Sequence, residues 1–554
     1  MNPVARFANW YPLGDKPQQL FLRNATGLVR AWSTYDSFVY SALSINIVTL
    51  GLYAFSFAPF IAGGNLLEAI LISVPFIFFQ VLSYTLLIAV MPRAGGDYVW
   101  QSRVLLGSIG FVLSITGYVF ILWQWGPIYG NILSIMVMSP IAAVLGNASA
   151  AIWWSSSSGV FAASMITIVL VSIFIALGMK WYARIQKWSF HIGLVGLVVL
   201  FAVLAAYSNS SFIGAFNTKV TSLFTGNSSS YQTVNTLGGV SSSTSISDFG
   251  TGSLGLTLSL IPFVVFFNLY PVWGATLYGE VRGSSDFKRN LKALTSSLLF
   301  TTLLAAIALL LFAKTFGWLF FNNANSAYWS GTIGSSGLPI FPYPGLLGAF
   351  LTNSLALQLF ILITLSFFYW GWAGSLFITS TRAMFAASFD RVLPSWFADV
   401  STRFRTPLKA IIAMAIPTAI FSYLYAYVKI NGTAFSTFSL DAVLVIAVMY
   451  CGTGLVATIL PFRRKALYEA SPVAKYKVGG IPLISIAGAI TTAFMAWLVY
   501  SWAVNPAYGV NNVVSFYYMV ILYVIAIVVY FSFKYYRKSK GIDMERLYSE
   551  IPVE

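Results

Sequence analysis

Twelve long apolar runs constrain this chain more than any other feature of its sequence. About twenty consecutive apolar residues are enough to cross the hydrocarbon core of a bilayer as a helix. Only 8% of the 554 residues are charged, whereas roughly a quarter are charged in a soluble domain. We therefore predict an all-α polytopic membrane protein with twelve transmembrane helices. The predicted spans, numbered one to twelve, lie near residues 37–60, 67–91, 104–138, 158–178, 190–208, 253–279, 293–313, 346–381, 408–428, 439–461, 481–502 and 514–533.

Lysine and arginine are distributed very unevenly among the segments that connect these spans. Of the 31 lysine and arginine residues, all but three lie in or beside the two tails and every second connection, which places them on one side of the membrane. The three exceptions on the other side are Lys219, Lys314 and Lys429. Because basic connections stay on the cytoplasmic side of a membrane, both termini are expected in the cytoplasm of a multi-pass protein of the cell membrane. The longest connection on the other side, 209–252, is dominated by Ser, Thr, Asn and Gly, and we expect a mobile polar cover there.

Few residues suited to catalysis or metal binding are present. The single cysteine, Cys451, excludes an internal disulfide, and together with the single histidine, His191, it provides no ligand set for zinc or haem. We therefore predict that the chain is not an enzyme and has no cofactor beyond Na+ or H+ as a coupling ion. The basic residues behind the net charge of +16 lie mostly in the segments that flank the spans, beside the membrane. The expected partners are therefore the lipid bilayer and a small-molecule substrate, not nucleic acid. A monomer and a homodimer both remain open.

Span six interrupts its own apolar run. The stretch "PFVVFFNLYPVWGATLYGE" (262–280) places Asn268, Tyr270, Pro271 and Gly274 near the middle of the span. An unpaired backbone N–H or C=O costs several kcal/mol in hydrocarbon, so irregular backbone at this depth is tolerated only where it is buried in protein or lines a cavity. The pattern predicts a break in the helix that binds a ligand, although a proline-kinked structural helix would contain the same residues.

Two polar segments carry motifs of a known transporter family. The stretch "MPRAGGDYVWQSRVLLG" (91–107) lies between spans two and three, and "STRAMFAASFDRVLPSWFADVSTRFRTPLKA" (380–410) follows span eight. They resemble the amino acid–polyamine–organocation transporters, in which Pro-Arg-Ala-Gly-Gly-x-Tyr stands at the first place and an arginine, Asp-x-x-Leu-Pro and Thr-Pro stand at the second. The matching residues are Pro92, Arg93, Ala94, Gly95, Gly96, Tyr98, Arg382, Asp390, Leu393, Pro394, Thr406 and Pro407.

The resemblance covers roughly the whole chain and implies a leucine-transporter-like fold. Such a fold consists of two inverted repeats of five spans, in which spans one and six are broken near the bilayer centre, and two extra helices. The segments expected from it are a cytoplasmic N-terminal tail at 1–36, the first repeat at 37–208, an extracellular loop at 209–252, the second repeat at 253–461, spans eleven and twelve with a cytoplasmic linker at 462–533, and a cytoplasmic C-terminal tail at 534–554.

The family resemblance implies secondary active transport of amino acids by alternating access. In inverted-repeat transporters the ends of broken helices bind the substrate, with N–H groups toward a carboxylate and carbonyls toward an ammonium group or Na+. Because no Asp or Glu lies near the centre of a span, neutral zwitterionic amino acids are the expected substrates. Coupling to H+, coupling to Na+ and exchange remain open, as do a polyamine or nucleobase substrate, a channel and a non-transporting sensor.

We predict substrate contacts at the broken spans and on span three. The candidates are Asn46, Thr49 and Gly51 in span one, Gln124 in span three, and Asn268, Tyr270, Trp273 and Gly274 in span six. Gly51 stands where the family's first span commonly has a Gly-rich signature, and a lone glycine can also simply allow close helix packing. Gln124 lies between Trp123 and Trp125, whose rings could close over a ligand or could face lipid.

Two further groups of candidates concern the coupling ion and the cytoplasmic mouth. In sodium-coupled relatives hydroxyls on span eight help to hold the ion, which suggests Ser375 and Thr379 on one helix face, although such hydroxyls also bond to the preceding turn. His191 in span five is the candidate proton carrier, because an unperturbed imidazole titrates near pH ~6.5; the alternative is an interfacial side chain. A cytoplasmic salt-bridge network is expected from Arg93, Glu280, Arg382 and Asp390. The alternatives are topogenic charge for the arginines and loop organisation for Asp390.

Overall fold

The structure, a computed structural model, describes residues 31–548 except 225, 242–244, 248, 251, 402, 404–405, 431–432 and 435–438. Within this part of the chain, 12 helices are long and apolar enough to cross a membrane, which confirms the predicted all-α class. They are Thr34–Phe55, Leu66–Val90, Gly107–Val144, Ser157–Ala176, Met179–Ala206, Leu254–Glu280, Phe287–Trp329, Leu355–Phe389, Leu408–Tyr427, Asp441–Arg463, Leu483–Val504 and Val513–Ser539. Most of the predicted N-terminal tail and the end of the C-terminal tail lie outside the described residues.

Several spans consist of consecutive helical segments. These are Thr34–Ile45, Ile47–Gly51 and Leu52–Phe55 in span one; Gly107–Ile115, Thr116–Phe120, Ile121–Leu133, Ser134–Met138 and Ser139–Val144 in span three; Leu254–Asn268 and Trp273–Glu280 in span six; Phe287–Phe312, Ala313–Gly317 and Trp318–Trp329 in span seven; and Leu355–Ala373 and Ser375–Phe389 in span eight. The α-helix of span ten extends over Ser439–Arg463.

Short elements connect the spans. The helices are Ala58–Ile61, Asp97–Val104, Ala148–Trp154, Asn209–Leu223, Ser230–Leu237, Ile333–Ser336, Pro344–Ala349, Ser395–Ala398, Lys465–Glu469, Pro506–Tyr508 and Met544–Leu547. Two antiparallel hairpins pair Lys429–Ile430 with Thr433–Ala434 and Lys477–Val478 with Ile481–Pro482.

Spans one and three lie at the centre of the bundle, whereas span twelve lies at its edge. In the apolar part of each span, 94% of the residues are buried in span one and 89% in span three, against 22% in span twelve. Span one packs against span seven, and span six packs against span two. This crossed pairing is what two repeats of five spans would produce, and the repeat itself stays a prediction.

Helices form within the connection 209–252, for which the composition predicts a mobile polar cover. Two helices form in it, Asn209–Leu223 and Ser230–Leu237. Phe212 and Phe216 are one helical turn apart and buried, and their ring centroids lie 5.5 and 5.1 Å from that of Phe320. A composition dominated by Ser, Thr and Asn does not reveal this apolar stripe, which depends on spacing.

Candidate substrate site

The helix of span six ends in the middle of the span, as its motif predicts. The α-helix Leu254–Asn268 is followed by a turn at Pro271 and then by the 3-10 helix Trp273–Glu280. Proline has no N–H to donate, its ring clashes with a carbonyl of the preceding turn, and it disfavours helical backbone at the residue before it. The last carbonyls of the first segment and the first N–H groups of the second therefore lack partners within their own helices.

Span one is interrupted at Asn46. The Asn46 backbone has φ 27° and ψ 90°, and asparagine adopts a positive φ more readily than most residues. Its Oδ1 accepts the N–H of Thr49 at 3.2 Å, and its Nδ2 donates to the carbonyl of Phe368 in span eight at 2.9 Å. A π-helical turn, Ile47–Gly51, follows. Asn46 therefore shapes the interruption and connects it to span eight.

The two interruptions lie side by side. The Ser41 hydroxyl in span one donates to the carbonyl of Pro271 in span six at 2.9 Å. A Cβ at Gly51 would lie 3.2 Å from Cδ2 of Phe267, so the glycine permits the close approach of the two spans. Both spans are thus broken, as the family resemblance implies.

A small cavity of about 20 Å³ lies between the interruptions. This is room for about one water molecule, so the cavity is nearly closed in this structure and has to widen to bind a solute. The residues that line it come from spans one, three, six, eight and ten: Ser44, Leu50, Leu122, Trp125, Tyr129, Tyr270, Trp273, Trp372 and Ile446. None of these lining residues is charged.

Aromatic rings form most of the cavity wall. The ring of Tyr270 lies 5.9 Å from that of Trp125 and 5.6 Å from that of Trp273, both edge to face. Tyr129 stacks on Trp372 at 3.6 Å between ring centroids. The indole N–H of Trp125 and the hydroxyl of Tyr270 are buried without a hydrogen-bond partner among the residues that the structure describes. Because buried polar groups are normally bonded, both are available to a ligand or to water.

The structure places two predicted substrate residues, Tyr270 and Trp273, in the cavity wall. Asn268 points toward span two, where its Nδ2 donates to the Ser73 hydroxyl at 2.7 Å. Gly274 lines a separate and still smaller cavity. The other candidates are buried without lining the substrate cavity: Asn46, Thr49, Gly51 and Gln124.

Sequence reasoning missed much of the wall. The sequence suggests Trp125 only as a ring that could close over a ligand, and the wall residues absent from the prediction are Ser44, Leu50, Leu122, Tyr129, Trp372 and Ile446. One signal was present, because Leu122, Trp125 and Tyr129 are spaced by three and four residues and therefore share one helix face. The position of the others depends on how the spans pack, which their local sequence does not state.

The predicted ion-coupling residues lie in two different places. The hydroxyls of Ser375 and Tyr129 share a hydrogen bond of 2.7 Å at the cavity wall. Thr379 donates to the carbonyl of Ser375 at 3.4 Å. His191 is exposed on the outside of the bundle, where Nε2 lies 2.9 Å from the Tyr35 hydroxyl. Ser375 is therefore next to the cavity, whereas His191 is apart from it.

Two buried ion pairs lie at the basic face, the face at which span one begins and span six ends. Arg382 binds Glu280 through Nε–Oε1 at 2.8 Å and Nη2–Oε2 at 3.3 Å. Arg103 binds the two carboxylate oxygens of Asp390 at 2.5 and 2.7 Å. The predicted network is thus two separate pairs, one of which uses Arg103, a residue absent from the prediction. Arg93 is partly exposed at this face.

The two glycines of the first motif fit against the second segment of span six. Gly95 and Gly96 have φ values of 96° and 41°, which glycine adopts at little cost. The Gly95 N–H donates to the carbonyl of Thr276 at 2.9 Å. A Cβ at Gly96 would lie 2.8 Å from the backbone of Ala275. The motif therefore holds the 3-10 segment of span six in place at the basic face.

A wide vestibule of about 610 Å³ lies at the opposite face. Its walls include Tyr53, Phe57, Asn131, Phe263, Trp329, Tyr425 and Tyr508. The ring of Phe266 lies 5.8 Å from that of Tyr53 and 5.3 Å from that of Trp125. Side-chain rings therefore separate the cavity from the vestibule, whereas backbone segments and ion pairs separate it from the basic face.

Twelve spans around a small uncharged cavity at two interrupted helices define the class of polytopic membrane transporters. The family model described as "Amino acid permease" matches residues 36–527, and the chain belongs to this family within the amino acid–polyamine–organocation superfamily. A stretch of 148 residues is 29% identical to an uncharacterised transporter of Rhizobium meliloti (strain 1021) and covers 27% of this chain and 30% of that protein. The match therefore spans less than a third of the length of that relative.

Proposed function

We propose that the protein is a secondary active transporter of neutral, zwitterionic amino acids and works by alternating access. The observation that carries this proposal is the uncharged aromatic cavity between the interruptions of spans one and six. An ionised side chain near the middle of a membrane is costly, and a zwitterion can be bound without one. The substrate is bound and moved, not chemically changed.

The two ends of a zwitterion find different partners in this cavity. The segments that start at the breaks, Ile47–Gly51 and Trp273–Glu280, carry partial positive charge at their N-terminal ends, which attracts the carboxylate. The N–H of Trp125 and the hydroxyl of Tyr270 supply two hydrogen-bond donors. The ammonium group is attracted to the faces of the aromatic rings. A polyamine would instead favour a carboxylate in the wall, and none of the lining residues is acidic.

The closure of the two faces supports alternating access. In this proposal the protein lies in the cell membrane with both termini in the cytoplasm, because basic segments gather at the face where span one begins. The vestibule then opens to the outside, and the ion pairs of Glu280 and Asp390 close the cytoplasmic side. Movement of two inverted repeats against each other would open one face as it closes the other. A gradient of H+ or Na+ drives uptake, with exchange as the variant.

Ligand-induced thermal stabilisation tests the substrate class. A ligand that binds the native state raises the Tm of the purified full-length protein, so neutral amino acids should raise it and polyamines should not, each with and without sodium. Proteoliposomes should then accumulate the stabilising amino acid against its gradient. A complete panel without stabilisation or uptake would contradict the proposal, and stabilisation by nucleobases alone would reassign the substrate.

A further inference from the structure

Asp97 is a fully buried carboxylate outside the cavity wall. It is the first residue of the helix Asp97–Val104, which directly follows the two motif glycines. Three hydroxyls donate to its carboxylate: that of Tyr84 in span two, that of Tyr118 in span three at 2.7 Å, and that of Thr453 in span ten at 2.6 Å. The sequence places this residue in a connection between spans, and only the fold encloses it.

Among the described residues, no cation pairs with Asp97. The neighbouring span eight carries two charged side chains, Arg382 and Asp390, and these are already bound to Glu280 and Arg103. The first helix of span three contributes no titratable side chain. The titratable groups that face Asp97 are all hydroxyls, those of Tyr84, Tyr118 and Tyr450.

A carboxylate in this position favours proton binding. A buried charge without a counter-charge is strongly destabilising, so such a group tends to become neutral. Burial raises the pKa of Asp97 above its ordinary value, and the hydrogen bonds from the three hydroxyls reduce that rise without cancelling it. Because a hydroxyl can both donate and accept, the same cluster can bond the carboxylate and the carboxylic acid.

Asp97 is connected both to the cavity and to the segment that closes the basic face. The ring of Tyr118 lies 5.0 Å from that of Trp273, which lines the cavity. Gly96, directly before Asp97, packs against the backbone of Ala275 in span six. A displacement of the span six segment that opens the basic face therefore also changes the surroundings of Asp97.

We propose that Asp97 is the proton-binding site that couples transport to a proton gradient. The inference rests on the proposed transport function and names its coupling ion. Asp97 holds a proton on a carboxylate oxygen while the basic face is closed. When the span six segment moves, water reaches the cluster, the O–H bond of the acid breaks, and the proton leaves as hydronium. After the face closes again, the carboxylate takes its next proton from water that enters from the vestibule.

Asp97→Asn, a neutral isostere of the protonated acid, tests the proposal in proteoliposomes of the full-length protein. Exchange of labelled for unlabelled amino acid should continue, whereas accumulation driven by an imposed pH gradient should be lost. Asp97→Glu keeps a titratable group and should recover part of the accumulation. Asp399→Asn is the control, because it neutralises an exposed carboxylate bound to Lys409, and it should keep both activities. Proton-driven accumulation by Asp97→Asn would overturn the proposal.

Another buried acid, Asp441, and another coupling ion, sodium, are the alternatives that further tests of the assignment to Asp97 address. Asp441 in span ten is also fully buried. Loss of proton coupling in Asp441→Asn with coupling retained in Asp97→Asn would overturn the assignment to Asp97. Sodium could also stabilise the wild type but not Asp97→Asn, while uptake shows no dependence on pH. That result would mean that Asp97 binds a metal cation instead of a proton, and it would also overturn the assignment.

A measurement without transport separates failure of this inference from failure of the proposed function. With a raised pKa, native Asp97 binds a proton more tightly than the unfolded chain does, so its contribution to stability is present at low pH and is lost as pH rises through the native pKa. The Tm of the wild type should therefore fall relative to that of Asp97→Asn as the pH is raised above about 4, the ordinary pKa of an aspartate. Equal falls in the two proteins would overturn the proton site even if no transported solute is found.

Discussion

Replacement of Glu280 by glutamine isolates the ion pair that holds span six to span eight at the basic face. Glu280 and Arg382 are each 1% exposed and form a bidentate contact. Removal of one partner of a buried pair costs ~3–5 kcal/mol, because the remaining charge is buried and uncompensated. A change of ~1.4 kcal/mol is a factor of ten in an equilibrium constant. The equilibrium constant for closing the basic face, relative to a state in which Arg382 reaches water, should therefore fall by roughly two to nearly four orders of magnitude.

Alkylation of one engineered thiol measures this opening. Ser44 lines the cavity, and Cys451 is the only native cysteine, so Ser44→Cys in a Cys451→Ser background places a single thiol at the site. A membrane-impermeant reagent applied from the basic face should label this thiol much faster when Glu280→Gln is added. Bound substrate should slow the reaction, which verifies that the label reports on the cavity.

The control variant breaks a solvent-exposed ion pair instead of a buried one. Asp399 and Lys409 are 58% and 55% exposed, and exposed pairs contribute only ~0–1 kcal/mol, so Asp399→Asn should leave labelling unchanged. The double variant Glu280→Gln/Arg382→Gln removes both charges of the pair, so neither is left uncompensated, and it should recover part of the lost stability. Labelling of Glu280→Gln that is no faster than that of Asp399→Asn would refute the role given to the pair.

Three further substitutions test the site and its support. Tyr270→Phe removes a buried hydroxyl without a partner among the described residues and should weaken amino acid binding, measured by calorimetry, by roughly two- to tenfold, the equivalent of ~0.5–1.5 kcal/mol. The control Tyr423→Phe changes an exposed side chain and should leave binding unchanged. Unchanged binding in Tyr270→Phe would exclude its hydroxyl from the substrate site. Gly96→Ala forces a Cβ to 2.8 Å from the backbone of Ala275 at a φ of 41°, so the Tm and the uptake rate should both fall, and wild-type values for both would contradict the support given to span six. His191→Gln should keep the pH dependence of uptake, because the imidazole is exposed and apart from the cavity; loss of that dependence would make His191 the proton carrier instead.

The break in span six could be predicted because it follows from local backbone chemistry, whereas the break in span one is expected only from the family resemblance. Pro271 removes an N–H and excludes helical geometry before it, whatever surrounds it. The twelve spans could be predicted for a similar reason, since the length and polarity of each run decide them. The cavity wall is different. Ile446 and Trp372 reach it only because spans eight and ten pack beside spans one and six, and neither residue carries a local sign of that position.

Charged contacts at the basic face show the same limit. Arg103 and Asp390 are separated by 287 positions in the chain, so only the packing of the spans brings them together. Asp97 stands outside the apolar runs, and its sequence neighbours give no reason to expect full burial. The assignment of acidic residues to connections and span ends is right for their positions along the chain. It does not predict which of them lose contact with water.

The two boundaries of the cavity differ in the kind of motion that opens them. On the vestibule side the barrier consists of side-chain rings, including those of Phe266 and Trp125, whereas on the basic face it consists of a helical segment held by the Gly95–Gly96 turn and the Glu280 pair. Side-chain rotations are fast compared with collective displacements of helices, which take about microseconds to milliseconds. In the proposed transport cycle, a solute from the vestibule therefore enters and leaves many times before the basic face opens once. Under that proposal, its apparent affinity from the vestibule is an equilibrium constant, and the turnover rate is set by the slow displacement of span six.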